Sequence, residues 1–116
     1  NEYVRQAAVT QLSNAARSDD PVAVAALLKA LQDHTPIVRD ASITSMIDMT
    51  DTSDENIITK VSVIFESYLK AVRDSALLVI VQIADAERAV QVVGDLLRHT
   101  RTDLRLWAAE ALGDLA

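Results

Sequence analysis

Apolar and small residues recur along the chain with helical spacing, and four stretches share one register. The pair Val-Arg stands at Val4-Arg5, Val38-Arg39 and Val72-Arg73, and Leu104-Arg105 is its close copy. Aligning the four on their Arg places Ala8, Ser42, Ala76 and Ala108 three positions on. Leu12, Met46, Ile80 and Leu112 follow at seven, and Ala15, Met49, Ile83 and Leu115 at ten. Positions −1, +3, +7 and +10 lie on one face of a 3.6-residue helix, so each stretch predicts an amphipathic helix. Agreement at so many columns marks an internal repeat with a period of 32–34 residues.

Three further apolar-periodic segments lie between these helices: Val22 to Leu31, Ile57 to Leu69 and Glu87 to Leu97. Asp20-Pro21 offers a capping carboxylate before a Pro at the first helical position, and Thr35-Pro36 repeats the device before the second Val-Arg helix. Thr52-Ser53-Asp54-Glu55 and Asp85 supply starts for the next two segments, and Thr100 or Thr102 for the last helix. The stretch Ala76 to Ile83 is rich in β-branched residues and alone fits a strand, but its register with the other copies selects helix. The expectation is an all-α chain of about seven antiparallel helices joined by short turns.

A two-helix unit whose second helix opens with Val-Arg and continues small-x-x-x-Leu-x-x-Leu resembles the HEAT repeat. The fullest copy is Leu31-Gln32-Asp33-His34-Thr35-Pro36-Ile37-Val38-Arg39-Asp40-Ala41, with Asp six residues before the Arg and Pro between them. Ser67 and His99 replace that Asp in the third and fourth copies, which predicts an incomplete Asp–Arg ladder there. The Trp-x-x-Leu-Gly and Tyr pattern of tetratricopeptide repeats and the Thr-Pro-Leu-His of ankyrin repeats are missing, and armadillo repeats need a third helix. The resemblance implies a right-handed α-α superhelix over the whole chain. It would form one domain: a half repeat at 1–17, then units at about 20–50, 54–85 and 86–116. It also implies structural roles for Arg5, Arg39, Arg73 and Arg105, each bonding a turn or a neighbouring carboxylate. A chain that opens and stops within second helices is expected to belong to a longer solenoid and to self-associate through its exposed ends.

Composition narrows the function. Half of the 116 residues are apolar, only Tyr3, Phe65, Tyr68 and Trp107 are aromatic, and Gly and Pro number two each. Such a chain has no material for a turn-rich β-sandwich or a collagenous segment. The absence of Cys excludes disulfide scaffolds and thiolate-ligated zinc, and favours a reducing, cytoplasmic setting. The longest apolar stretch, Ala76 to Ile83, is far shorter than the ~20 residues of a membrane span. A net charge of −6 argues against a general phosphate-binding surface.

Candidate chemistry is sparse. Asp48, Asp51, Asp54 and Glu55 lack the Asp-x-Asp-x-Asp-Gly spacing of a calcium loop, and helix-start chemistry accounts for Ser53 to Glu55, so no metal site is expected. His34 and His99 sit in turns without a His-Glu-x-x-His or His-Glu pairing, unlike the iron-binding pairs of the di-iron hydroxylase branch of HEAT-like proteins. They read as solvated turn residues. No Gly-x-Ser-x-Gly and no Gly-rich phosphate loop is present, so neither catalysis nor a cofactor is expected. Arg88, Arg98, Arg101 and Arg105 make the C-terminal quarter locally basic, but Asp95, Asp103 and Glu110 dilute it. With Trp107 almost alone as a stacking group, a solvated helix face is favoured over nucleic acid.

The outward columns of the Val-Arg helices carry more information. They read Gln6, Thr10, Asn14 and Arg17, then Asp40, Thr44, Ile47, Asp48 and Asp51, then Asp74, Leu78, Val81, Gln82 and Asp85, and finally Leu106, Glu110 and Asp114. Second helices line the concave surface of HEAT proteins, so the resemblance makes this strip a binding face. The expected partner face comprises Asp40, Thr44, Ile47, Asp48, Asp74, Leu78, Val81, Gln82, Leu106 and Glu110. Carboxylates around apolar anchors suit a basic or amphipathic protein segment. The competing explanation is that exposed Asp merely keeps an Ala/Val/Leu-rich stack soluble. The expected function is therefore a non-enzymatic protein-interaction scaffold; the alternative is an accessory or structural module of a larger enzyme or assembly.

Overall fold

The computed structural model describes residues 1–15, 17 and 19–115, and of Ala15 only the backbone. The +10 position of the first copy, Ala15, and the terminal Ala116 thus lie outside the described side chains. Among the described residues there are seven α-helices and no strand: α1 (Glu2–Ala15), α2 (Pro21–Leu31), α3 (Pro36–Met49), α4 (Glu55–Val63), α5 (Lys70–Ile83), α6 (Ala86–Gly94) and α7 (Thr102–Leu115). Single 3-10 turns, Ile64–Glu66 and Asp95–Arg98, extend α4 and α6. The Ala76–Ile83 stretch is helical, as its register requires. The fourth helix stops earlier than its apolar pattern, because the backbone turns extended at Ser67, bends at Tyr68, and Leu69 becomes the residue before α5.

The even-numbered helices start alike. Asp20 accepts from the N–H groups of Val22 and Ala23, Asp54 from those of Asn56 and Ile57, and Asp85 from that of Arg88. Each carboxylate satisfies donors that the first helical turn leaves open and sits favourably at the positive end of the helix dipole. Helix α1 is capped in the same way, Asn1 Oδ1 accepting from the N–H groups of Tyr3 and Val4, whereas α3, α5 and α7 start differently. Thr35 occupies the cap position of α3 but its hydroxyl makes no cap bond, accepting instead from Arg5 at 3.1 Å. At α7 neither Thr100 nor Thr102 is the cap: Arg105 N–H donates to the Arg101 carbonyl, so Arg101 holds that place.

Packing follows the repeat. α3 lies against α1, α2 and α5, while α5 also meets α4 and α6, and α7 rests on α6. The −1, +3 and +7 columns are buried in the second and third copies: Val38, Ser42 and Met46, then Val72, Ala76 and Ile80. Facing them, α2 contributes Leu27 and Leu31, and α4 contributes Ile57, Ile58 and Val61. Each large side chain so enclosed stabilises the fold by about 1.5–3 kcal/mol. Buried hydroxyls are satisfied by helix carbonyls: Ser42 donates to Leu27 O at 2.7 Å and Ser45 to Val9 O at 3.3 Å, tying α3 to α2 and to α1.

The spacing is uneven. α1 and α3 approach closely along their length, as small and medium side chains allow, whereas α5 and α7 stand further apart. Trp107 fills that gap, packed on Phe65 with ring centroids 5.2 Å apart. The Cα radius of gyration of 13.7 Å is close to the ~13.4 Å expected of a compact chain of this length. No described helix is long and apolar enough to cross a membrane.

Candidate functional site

The turns before α3, α5 and α7 share one hydrogen-bond scheme. Arg39 Nη1 donates to Asp33 O, Arg73 Nη1 to Ser67 O and Arg105 Nη1 to His99 O, each at 2.8 Å and each six residues back. The acceptor is a backbone carbonyl, so the identity of the residue six positions back does not matter to this bond. The side chains at that position also converge. Asp33 Oδ1 accepts from Thr35 N–H at 2.9 Å, Ser67 Oγ from Leu69 N–H at 3.2 Å, and His99 Nδ1 from Arg101 N–H at 3.0 Å. Carboxylate, hydroxyl and imidazole perform one task, closing the turn two residues on. This intra-unit contact does not depend on the Asp that Ser67 and His99 replace.

A second set of bonds joins neighbouring turns. Arg5 donates through Nε and Nη2 to both oxygens of Asp33, at 2.8 and 3.2 Å. Those bonds, against burial and with help from Thr35 N–H, hold the Asp33 carboxyl below its ordinary pKa. Arg73, buried, lies 3.6 Å from Asp103 and 5.7 Å from the Trp107 ring centroid. Arg101 reaches back to the Glu66 carbonyl, pairs with Asp103 and stacks 3.9 Å over Tyr68. Its hydrogen bond lowers the Asp103 pKa. The four Arg residues of the column are thus spent inside the fold.

His34 is exposed as expected, but His99 is not the solvated residue its sequence context suggests. Its Nδ1 accepts from the backbone, which places the proton of the neutral ring on Nε2, 2.9 Å from Glu66 Oε1. In the basic C-terminal quarter Arg98 is exposed with no ion-pair partner among the described residues, while the other three Arg are engaged. Arg88 pairs with Glu55, Arg101 with Asp103, and Arg105 bonds the His99 and Thr100 carbonyls. Among the described residues no three His, Asp or Glu come together as a cluster that could hold a metal ion.

The outward columns of α1, α3, α5 and α7 divide into three kinds. Asp40, Thr44, Asp48, Gln82 and Glu110 are exposed, as are Thr10, Asn14, Asp51 and Asp114. Asp40, Asp48, Asp51, Glu110 and Asp114 have no ion-pair partner among the described residues. Leu78 and Leu106 remain 53% and 65% exposed, large apolar groups standing in the strip. Ile47 and Val81 are half-buried, and Ile47 packs against the core; a small phase difference turns it inward from the anchor position expected of it. Asp85 is engaged as the cap of α6 and Arg17 faces Asp19 at 3.8 Å.

Asp74 is committed elsewhere. It accepts from Trp107 Nε1 at 2.9 Å and from Lys70 Nζ at 2.9 Å. Burial pushes its pKa up, but the bonds from Trp107 and Lys70 outweigh that and leave it lowered. Trp107, at +2 from its Arg, is buried and reaches Asp74, at +1 in the preceding odd-numbered helix; in the sequence it stands only as an isolated aromatic.

Between α1 and α3 the strip deepens into an open groove of about 430 Å³ lined by Gln6, Thr10, Ser13, Asn14, Ile37, Asp40, Ala41, Thr44, Ser45 and Asp48. Its lining is mostly polar and acidic, with Ile37 and Ala41 as the apolar members. No family profile matches the chain, and no curated protein matches it either.

Proposed function

We propose that the chain is a HEAT-type α-solenoid segment acting as a protein-interaction scaffold, without catalysis of its own. Its outward face on α1, α3, α5 and α7 grips a basic, amphipathic segment of another polypeptide. Recurrence of the same turn before α3, α5 and α7 supports the repeat assignment. The observation that carries the binding reading is the pairing of unneutralised carboxylates with exposed aliphatics. Asp40, Asp48 and Glu110 make no ion pair among the described residues, while Leu78 and Leu106 stay uncovered. A Lys-rich helix would meet the carboxylates at its rim and bury its aliphatic stripe on the two Leu.

The test is fluorescence anisotropy with a labelled 14-residue Lys/Leu amphipathic peptide. Asp40→Lys with Asp48→Lys shifts the face by four charge units. At roughly 0.3–0.5 kcal/mol per unit near a surface, affinity should fall about ten-fold or more. Glu87→Lys with Asp95→Lys, the same charge change on α6 and the turn after it, should have a clearly smaller effect. Equal losses from the two pairs would reduce the acidity to net charge and remove the docking face.

A further inference from the structure

Many carboxylates of the fold are spent on partners, but the two that face the groove between α1 and α3 are not. Asp33, Asp74 and Asp103 accept from Arg or Lys, Asp20, Asp54 and Asp85 cap helices, and Glu55 and Glu66 meet Arg88 and His99. Among the described residues Asp40 and Asp48 make no ion pair, and the side-chain amides of Gln6 and Asn14 make no hydrogen bond. Gln6 and Asp40 hold the same +1 column of packed helices, Asn14 and Asp48 the same +9 column, and all four line the groove. They form two rungs, each a carboxylate beside an amide oxygen. Eight residues separate the rungs along each helix, about 12 Å of rise. Thr10 and Thr44, at +5, stand between them.

No Lys or Arg lines this groove of about 430 Å³, so its charge calls for cations from outside. A guanidinium fits a rung better than an ammonium does, because its planar fork of N–H donors reaches the carboxylate and the neighbouring amide oxygen together. The separation of the rungs selects a spacing. On a helix, residues seven apart are about 10.5 Å apart in rise and turned by only about 20°, so both side chains point at the same surface. Residues five apart are turned by about 140°, and one of them points away. Helices that come earlier in the chain do not close this face: Leu78 and Gln82 on α5 stay exposed although α1 to α4 precede them.

We infer that the α1–α3 groove takes two Arg side chains, seven residues apart on one helix of a partner protein, one on each rung: Gln6 with Asp40, and Asn14 with Asp48. The inference rests on the docking face proposed above and adds to it a residue type, a spacing and a place. The partner residues between the two Arg that face the groove pass over Thr10 and Thr44 and are small.

The probes are two fluorescein-labelled 14-residue Leu/Gln amphipathic peptides of identical composition, each with two Arg, seven apart in one and five apart in the other. Both are titrated with the intact chain and followed by anisotropy. The seven-spaced peptide should bind about five-fold more tightly or better. Asp40→Asn with Asp48→Asn should erase that preference. Gln6→Ala with Asn14→Ala, which changes no charge, should weaken the seven-spaced peptide about three-fold and leave the other unaffected. Helical content by circular dichroism should stay the same in both variants, since none of the four side chains is buried. Equal affinity of the two peptides overturns the inference. So does a preference that survives the two Asp→Asn changes, or no saturable binding of either peptide at millimolar chain. The docking face itself stands or falls separately, on the loss of the Lys/Leu peptide when Asp40 and Asp48 become Lys. Self-association seen by sedimentation equilibrium and abolished by the two Asp→Asn changes makes a second copy the occupant, and also overturns the inference.

Discussion

Replacing Arg73 by Ala should destabilise the chain more than the same change at any other Arg of the column. The side chain is 6% exposed, donates to Ser67 O at 2.8 Å, lies 3.6 Å from Asp103 and covers the Trp107 ring at 5.7 Å. A hydrogen bond from a charged donor contributes about 1.5–3 kcal/mol. Two buried methylenes beyond Cβ add about 1.5 kcal/mol, and the cation–π contact about 0.5–1 kcal/mol. Against these stand the cost of desolvating a guanidinium and a buried Nε that has no hydrogen-bond partner. A net loss of about 3 kcal/mol follows, a large fraction of the ~5–15 kcal/mol that holds a typical domain folded. Arg73→Met keeps the stem and removes the unpaired Nε, so it should cost only about 1–2 kcal/mol. Urea denaturation followed by Trp107 fluorescence and by circular dichroism measures both. A loss below 1 kcal/mol for Arg73→Ala, or equal losses for Ala and Met, would refute the division between stem and guanidinium.

Other outcomes follow from the same contacts. Ser67→Asn should leave the urea midpoint nearly unchanged, because another acceptor can close the turn, whereas Ser67→Ala should cost about 1 kcal/mol; equal effects would sink the turn equivalence. Asp33, Asp74 and Asp103 all have lowered pKa values in the fold. Their stabilisation is complete above the unfolded carboxylate value and is lost as pH falls through the lowered folded values. The urea midpoint should therefore hold from pH 8 to about 5 and drop below about pH 4, with a shallower drop when the three are changed to Asn. Gly94→Ala and Gly113→Ala should each stabilise by up to about 1 kcal/mol, since neither Gly has a positive φ and an added Cβ meets nothing within 4 Å at either. A lowered melting temperature for either would contradict that.

Much of the fold was legible because burial in stacked helices leaves a periodic trace. The columns before and after each Arg announced α1, α3, α5 and α7, and overrode the β-branched composition of Ala76–Ile83. Asp20, Asp54 and Asp85 announced the caps of α2, α4 and α6. What stayed hidden depends on atoms far apart in sequence or on backbone acceptors that any residue supplies. The resemblance implied that each Arg bonds a turn or a neighbouring carboxylate, but not that Asp33 serves both, its carbonyl taking Arg39 and its carboxylate Arg5 of the preceding copy. The Arg5–Asp33 carboxylate rung has no counterpart at Ser67 and His99, whereas the carbonyl bond six residues back, which any residue can supply, recurs there. On the outward face, the exposure of Asp40, Asp48, Leu78 and Leu106 was readable from phase. The half-burial of Ile47 and the commitment of Asp74 to Trp107 were not, since both depend on how neighbouring helices lean.

The most direct test of a docking face on the odd-numbered helices is residue-resolved mapping by ¹⁵N–¹H correlation spectra of the chain titrated with the Lys/Leu peptide. Shift changes should centre on Asp40, Thr44 and Asp48 and continue through Leu78, Gln82, Leu106 and Glu110. Changes confined to the outer surfaces of α2, α4 and α6, or none at saturating peptide, would contradict it.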